Sequence, residues 1–357
     1  MTLEEIYHAI EYSQTISDRD FSRRTFSDAT FRSANFVMCD FGGARFVRCN
    51  FDKSMLIRCD FRGARFEDCT FAGSQLMMGR FEGAAFPGCA FETTGFLQGK
   101  LQGADFSHAR LYDTGLLCND LTEARFCETS FEKVGLLENT LDRVDFARAH
   151  IYRTMISRAD LRTAFLDGAI FHQVLLVDGN LSNRDLSGHT FRECTMVDAD
   201  LQKVAFRGSE LTQTSFVNCN MRLSDFCEAN MPQAMLAGSI LAGSKFERTT
   251  LTNGVFANAD VSAVSFAGSQ MQMAVFDNAN CGAARFEGCD LQYGDFTNAN
   301  CQAGNFANAR FNITRFHGAN LKGALLDGSA GSTVPTDDRR LIAQAYNPQN
   351  VILDTEL

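Results

Sequence analysis

Residues 16–51 read ISDRDFSRRTFSDATFRSANFVMCDFGGARFVRCNF. Every fifth position, from Ile16 through Phe21, Phe26, Phe31, Phe36 and Phe41, is large and apolar, and the count runs without a slip to Leu326. All 63 positions of this lattice are Phe, Leu, Ile, Met, Val or Cys, and they hold 32 of the 33 Phe; only Phe165 lies off it. With 45% hydrophobic residues overall, random placement does not produce such a run. A second register accompanies the first. Two residues before each lattice position from Phe21 onward, the residue is Ala, Gly, Ser, Cys, Thr or Val in 56 of 62 cases.

A period of five fits neither the 3.6 of a helix nor the 2.0 of a long strand. It fits a short extended stretch followed by a corner, with the large and the small residue inside and the other three facing water. Such a unit cannot bury its apolar face alone, so successive turns must stack. With Asp or Asn often between the two registers, as in GADF (103–106) and NANC (298–301), the pattern resembles the A(D/N)LXX unit of pentapeptide repeat proteins over roughly residues 16–326. The resemblance implies an all-β fold, a right-handed quadrilateral β-helix with 20 residues per coil. At ~4.8 Å between strands, about 16 coils make a rod of ~75 Å. The unbroken phase leaves no room for an inserted loop. Folded at 20 residues per coil, the column from Phe26 and Phe46 to Leu326 is Phe in 13 of 16 places, a stacked aromatic core.

Both ends of such a rod need covers. Thr2 and Glu5 form a capping-box pattern, which predicts a capping helix within residues 1–15 with Ile6, Ile10 and Tyr12 on its apolar side. At the other end (327–357), Gly328–Val334 reads as a linker and Thr336 as the N-cap of a short helix that ends at Pro348. LSNRDLSGHTF at 181–191 echoes ISDRDFSRRTF at 16–26, but places Arg184 and His189 where small inward residues are the rule. Their bulk predicts a distorted coil, and a division into sub-rods 16–180 and 181–326.

Composition limits the function. The chain has 357 residues, 33 Phe, no Trp and 21% charged residues, which is not the profile of a disordered chain. No apolar run approaches the ~18 residues of a membrane span, and MTLEEIYHAIEYSQ is not a secretory signal. Thirteen Cys then read as reduced thiols of a cytoplasmic protein. Eight of them, including Cys39, Cys49, Cys59 and Cys69, occupy the small inward register, while Cys281 and Cys301 are lattice residues; they read as core filler, with no zinc spacing among them. The six His fall on different columns and no catalytic motif occurs, so the expectation is a non-enzyme without cofactor or metal. A net charge of -10 argues against direct nucleic-acid binding.

Function therefore lies on the outer faces. Just after the lattice residue, three faces are polar or small. The fourth reads Val37, Ile57, Met77, Leu97, Leu117, Leu137, Ser157, Val177, Val197 and Val217, joined just before the lattice residue by Met55, Met155, Leu175, Met235, Val255 and Val275. This ladder of ~43 Å is larger than the scattered apolar residues of a monomer surface, and predicts a protein-binding or homodimer surface. The resemblance implies an alternative, because some family members mimic duplex DNA and protect type II topoisomerases such as gyrase. Asp20, Asp40, Asp60, Asp120, Asp160, Asp200 and Asp260 do share one column, broken by Arg80 and Lys100. One net charge per ~7.5 Å falls well short of one per ~1.7 Å in DNA. The RDFS (19–22) and RDLSG (184–188) openings are similar to repeat segments near bacterial type VI secretion clusters, which implies a scaffold accompanying a secreted effector.

Overall fold

The computed structural model describes residues 1–337; the helix expected between Thr336 and Pro348 lies outside them. Helix α1, Leu3–Glu11, begins with the reciprocal Thr2–Glu5 capping box and buries Ile6 and Ala9 against the first coil. Ile10 packs beside them half-buried, whereas Tyr12 is the exposed C-cap residue and not part of the apolar side. Arg24 ties the lid down by donating from Nη1 to the Met1 carbonyl at 2.8 Å.

From Thr15 onward the chain winds into a parallel β-solenoid of about 16 turns. Residues 20 apart are bridged, as in Asp20↔Asp40↔Asp60 and Arg285↔Asn305↔Leu325. The corner falls on the second residue after each lattice position, which takes a left-handed backbone, for example Lys53 (φ 57°), Arg58 (φ 53°) and Asp198 (φ 53°). From Asp18 to Gly328, Thr163 is the single corner residue that does not. One face is an eleven-stranded parallel sheet from Thr15–Ser17 to Ser215–Val217; a second carries six strands from Ala90–Glu92 to Thr190–Arg192, and a third carries three from Thr25–Ser27 to Arg65–Glu67. Apart from one two-stranded pair at the C-terminal end, the remaining contacts between coils are single bridges.

Lattice side chains fill the interior. In the aromatic column the rings of Phe46, Phe66, Phe86 and Phe106 stack at 4.7–4.9 Å, and burying each contributes ~1.5–3 kcal/mol. Leu166 and Leu186 interrupt this stack, and a cavity of about 20 Å³ opens beside Leu166, lined also by Leu161, Phe171 and Leu181 among others. The small register is buried too. Most of its hydroxyls donate to a carbonyl 23 residues earlier, as Ser74 does to Phe51 and Thr94 to Phe71, both at 2.6 Å; Thr154 donates instead to Tyr152, and the buried Ser54 hydroxyl has no partner. Thiols do the same, Cys194 to Phe171 at 3.5 Å, and burial pushes the Cys194 and Cys219 thiols up to about 12, so both stay protonated.

At residues 160–186 one corner is disturbed. Arg184 does not enter the core; its Nη1 donates to the carbonyls of Arg162 (2.9 Å) and Ala164 (2.6 Å), on either side of Thr163. His189 is half-buried, with Nδ1 3.2 Å from the Ser187 carbonyl. Among the described residues, the bridges Thr140↔Asp160 and Phe165↔Asp185 are missing from otherwise continuous columns. The long and the six-stranded sheets cross this level, pairing Leu175 with Thr195 and Ile170 with Thr190, so the sub-rods 16–180 and 181–326 share uninterrupted sheets. Residues 328–334, expected as a linker, instead continue the coil: Ala330 bridges Arg310, and Thr333–Val334 pair with Thr314–Arg315. They supply the ladder partners that the last full coil would otherwise lack.

Candidate functional site

The long sheet brings the apolar ladder together. Its register pairs Val37 with Ile57, Ile57 with Met77, Met77 with Leu97, and so on through Leu117, Leu137, Ser157, Val177 and Val197 to Val217. These side chains stand on the outer side of the strand, opposite the buried lattice residue. Stacking makes them cover one another, so most are half-buried; Leu117 is 37% exposed. Met55 and Met155 are exposed, Leu175 is half-buried, and Met235, Val255 and Val275 extend the neighbouring column by single bridges.

The six-stranded sheet is an internal control for strand geometry. Its strands have the same length and the same parallel register, yet the equivalent outward column is Glu92, Tyr112, Glu132, Tyr152, His172 and Arg192. A preference of extended backbone for β-branched residues would act on both sheets. The apolar column is thus a property of one face and not of the fold.

One feature of this face escaped the sequence reading. Gly95, Gly115 and Gly135 stack in the outward position just before the lattice residue, leaving a bare strip beside Leu97, Leu117 and Leu137. Their backbone is not left-handed, so no turn demands glycine here. A Cβ on Gly115 would sit 2.9 Å from Leu117 Cδ1, which folds over it. The signal was present as the recurring GFL, GLL and GLL at 95–97, 115–117 and 135–137.

The aspartate column takes on a different meaning. Asp20, Asp40, Asp60, Asp120, Asp160, Asp200 and Asp260 each accept the backbone N–H two residues on at 2.8–3.2 Å. Each is a turn cap. Two are also neutralised locally: Arg62 pairs with Asp60 at 2.6 Å and Arg162 with Asp160 at 2.7 Å. The Arg162 guanidinium holds the Asp160 carboxyl below its usual range. Part of the column's charge is therefore tied up within the rod.

The thiols and imidazoles among the described residues are scattered over several faces and coils. Cys118 is exposed and Cys127 half-buried, while the other eleven thiols are buried. His172, on the outer side of a strand of the six-stranded sheet, lies 3.4 Å from Glu193, and His108, on an exposed corner, lies 3.3 Å from Glu128. Among the described residues, no helix is long and apolar enough to cross a membrane.

A family model described as pentapeptide repeats matches in eight copies over residues 44–84, 176–213, 206–243, 214–255, 255–292 and 295–329. No curated protein matches the sequence. Among solved structures, the chain is similar to QnrB1, a plasmid-mediated fluoroquinolone resistance protein, at 19% identity over 56% of this chain and 89% of that one, with a TM-score of 0.35. It is similar to HetL, a pentapeptide repeat protein involved in heterocyst differentiation regulation from the cyanobacterium Nostoc, at 16% identity over 92% and 94%, TM-score 0.17. A third is Rfr23, a pentapeptide repeat protein from the cyanobacterium Cyanothece, at 19% identity over 37% and 91%, TM-score 0.15.

Proposed function

The chain belongs to the pentapeptide repeat family, and on that premise we propose that it is a non-enzymatic scaffold that binds protein through the apolar face of its long sheet. The observation that carries this reading is the contrast between the two large sheets. Only one presents to solvent a column of Val, Ile, Met and Leu, interrupted once by Ser157. Removing such a column from water is the dominant gain in protein association. A rigid rod offers it without a cost in ordering. The thirteen free thiols suit a reducing cytoplasm. A tie to type VI secretion is the pathway-level part of the proposal and rests on the RDFS and RDLSG openings; genomic neighbourhood tests it.

The DNA-mimic reading, with gyrase as partner, ranks second, because the aspartates it needs cap turns and pair with arginines. The deciding experiment is cross-linking in the native host with wild type and with I57K/L97K/L117K. A defined protein captured by the first and lost from the second supports the apolar face. Equal capture by both overturns it.

A further inference from the structure

The ten rungs from Val37 to Val217 have a midpoint between Leu117 and Leu137. The corner residues flanking the face are arranged about that point. On one flank stand Lys53, Asp113, Lys133 and Glu193; on the other, Arg58, Glu138, Asp178 and Asp198. We propose that the occupant of the apolar face is a second copy of this chain, packed sheet on sheet and antiparallel, with the two-fold axis passing between the Leu117 and Leu137 rungs. The inference rests on the binding reading above and names the partner.

Charge selects this register. An axis parallel to the strands, and so perpendicular to the rod, brings each flank against the same flank of the second copy, with the rungs in reversed order. Lys53 then faces Glu193 of the second copy, Arg58 faces its Asp198, and Asp113 faces its Lys133. No like charges meet: Glu138 opposes Cys118, Arg158 opposes Gln98 and Asp178 opposes Met78. Moving the axis by half a rung sets Asp113 against itself in one direction, and Lys133 and Glu138 against themselves in the other. A parallel pair of rods sets Lys53 against Arg58, Arg153 against Arg158 and Glu193 against Asp198. Like charges facing one another across an interface suppress a wrong arrangement.

The surfaces fit in the same register. Gly95, without a side chain, faces the exposed Met155 of the second copy, a gap opposite a projection. Ten rungs of ~4.8 Å and a face about five residues wide give roughly 700 Å² per copy, close to the ~800 Å² of a standard interface. Lys53, Arg58 and Asp198 are exposed and make no ion pair within the described residues. Seven coils, ~34 Å, separate Lys53 from Glu193 and Arg58 from Asp198 along one rod, so neither pair can form within a copy.

Sedimentation velocity on the full chain tests this. Wild type should be a dimer at micromolar concentration. K53E/R58E and E193K/D198K should each weaken it on the order of tenfold or more, with circular dichroism unchanged, since all four residues sit at exposed corners, and any fall in melting temperature should vanish on dilution to the monomer. Mixing the two variants should restore a dimer, because the mixed pair has opposite charges at every one of these contacts. A wild-type monomer, or a dimer indifferent to both variants, overturns the second copy as occupant. Loss in both variants without rescue on mixing overturns the antiparallel register. In any of these cases, host-protein capture that I57K/L97K/L117K abolishes leaves the binding-face reading standing, and only loss of that capture difference removes it.

Discussion

Arg184 places Nη1 2.6 Å from the carbonyl oxygen of Ala164, an acceptor that belongs to the backbone in the neighbouring coils. One coil earlier the Phe165 N–H donates to Val144 O, and one coil later the Ala205 N–H donates to Arg184 O, each at 2.8–2.9 Å. The guanidinium has taken the place of the Asp185 N–H, and Thr163 beside it has left the left-handed corner. Burial pulls the Arg184 pKa down, although an arginine stays charged. T163G/R184A should therefore rebuild the corner, since glycine takes φ > 0 freely and alanine is the commonest small inward residue. The expected result is slower amide exchange at Asp160 and Asp185 and a gain on the order of 1 kcal/mol. Exchange at wild-type rates would show that the defect has another origin.

Two triple substitutions separate the inner from the outer register. I57K/L97K/L117K changes side chains on the outer side of the strand and should keep the fold, at ~0.5 kcal/mol or less per site. F66A/F86A/F106A removes three stacked rings that are each fully buried, and should unfold the rod at ~3–5 kcal/mol per cavity. Thermal melts followed by circular dichroism decide. A collapse of the outward triple would mean that these residues are core.

Much of this architecture was legible because a lattice of 63 residues leaves no second phase in which to bury Phe21, Phe26 and Phe31 together. The outward ladder followed from the same arithmetic, since Val37 and Ile57 must stack once Phe36 and Leu56 do. What was not legible depends on backbone detail. Asp20 and Asp40 look like surface charge in sequence, and only the turn geometry shows them capping Ser22 and Gly42. The corner defect is harder still: Thr93 accepts a left-handed backbone (φ 51°) while Thr163 does not, and the two are the same residue in the same repeat position. Arg184 flagged the right coil by its bulk, but not that it would turn outward to bind carbonyls. The bare strip of Gly95, Gly115 and Gly135 went unnoticed because an apolar count passes over glycine.

Acid stability has a specific contributor. Glu67 accepts from Arg45 Nε at 3.1 Å and from Arg65 Nε at 2.6 Å, and these two guanidinium groups hold its carboxyl down at about 2 instead of the usual 4.5. A depressed carboxylate contributes stability above its unfolded pKa and loses it as pH falls through the folded one. The contribution is therefore whole above about 4.5 and fades between there and about 2. E67Q should lower the melting temperature at neutral pH slightly, and its melting curve should converge on that of wild type near pH 2. A constant gap across that range would mean that Glu67 acts through packing and not through charge.

The two meanings of the aspartate column separate by changing charge without changing shape. D20N/D40N/D60N keeps an oxygen able to accept the N–H groups of Ser22, Gly42 and Arg62, and removes three negative charges. D20A/D40A/D60A removes the caps as well. If the column is structural, the asparagine triple melts close to wild type and the alanine triple loses ~0.5–1 kcal/mol per turn. Gyrase supercoiling, and its inhibition by a quinolone, should be unchanged by wild type and by either triple at low micromolar concentration. Protection by wild type that disappears in the asparagine triple would instead assign the column to a surface that imitates the phosphate charge of DNA. That outcome would move the topoisomerase reading ahead of the apolar face.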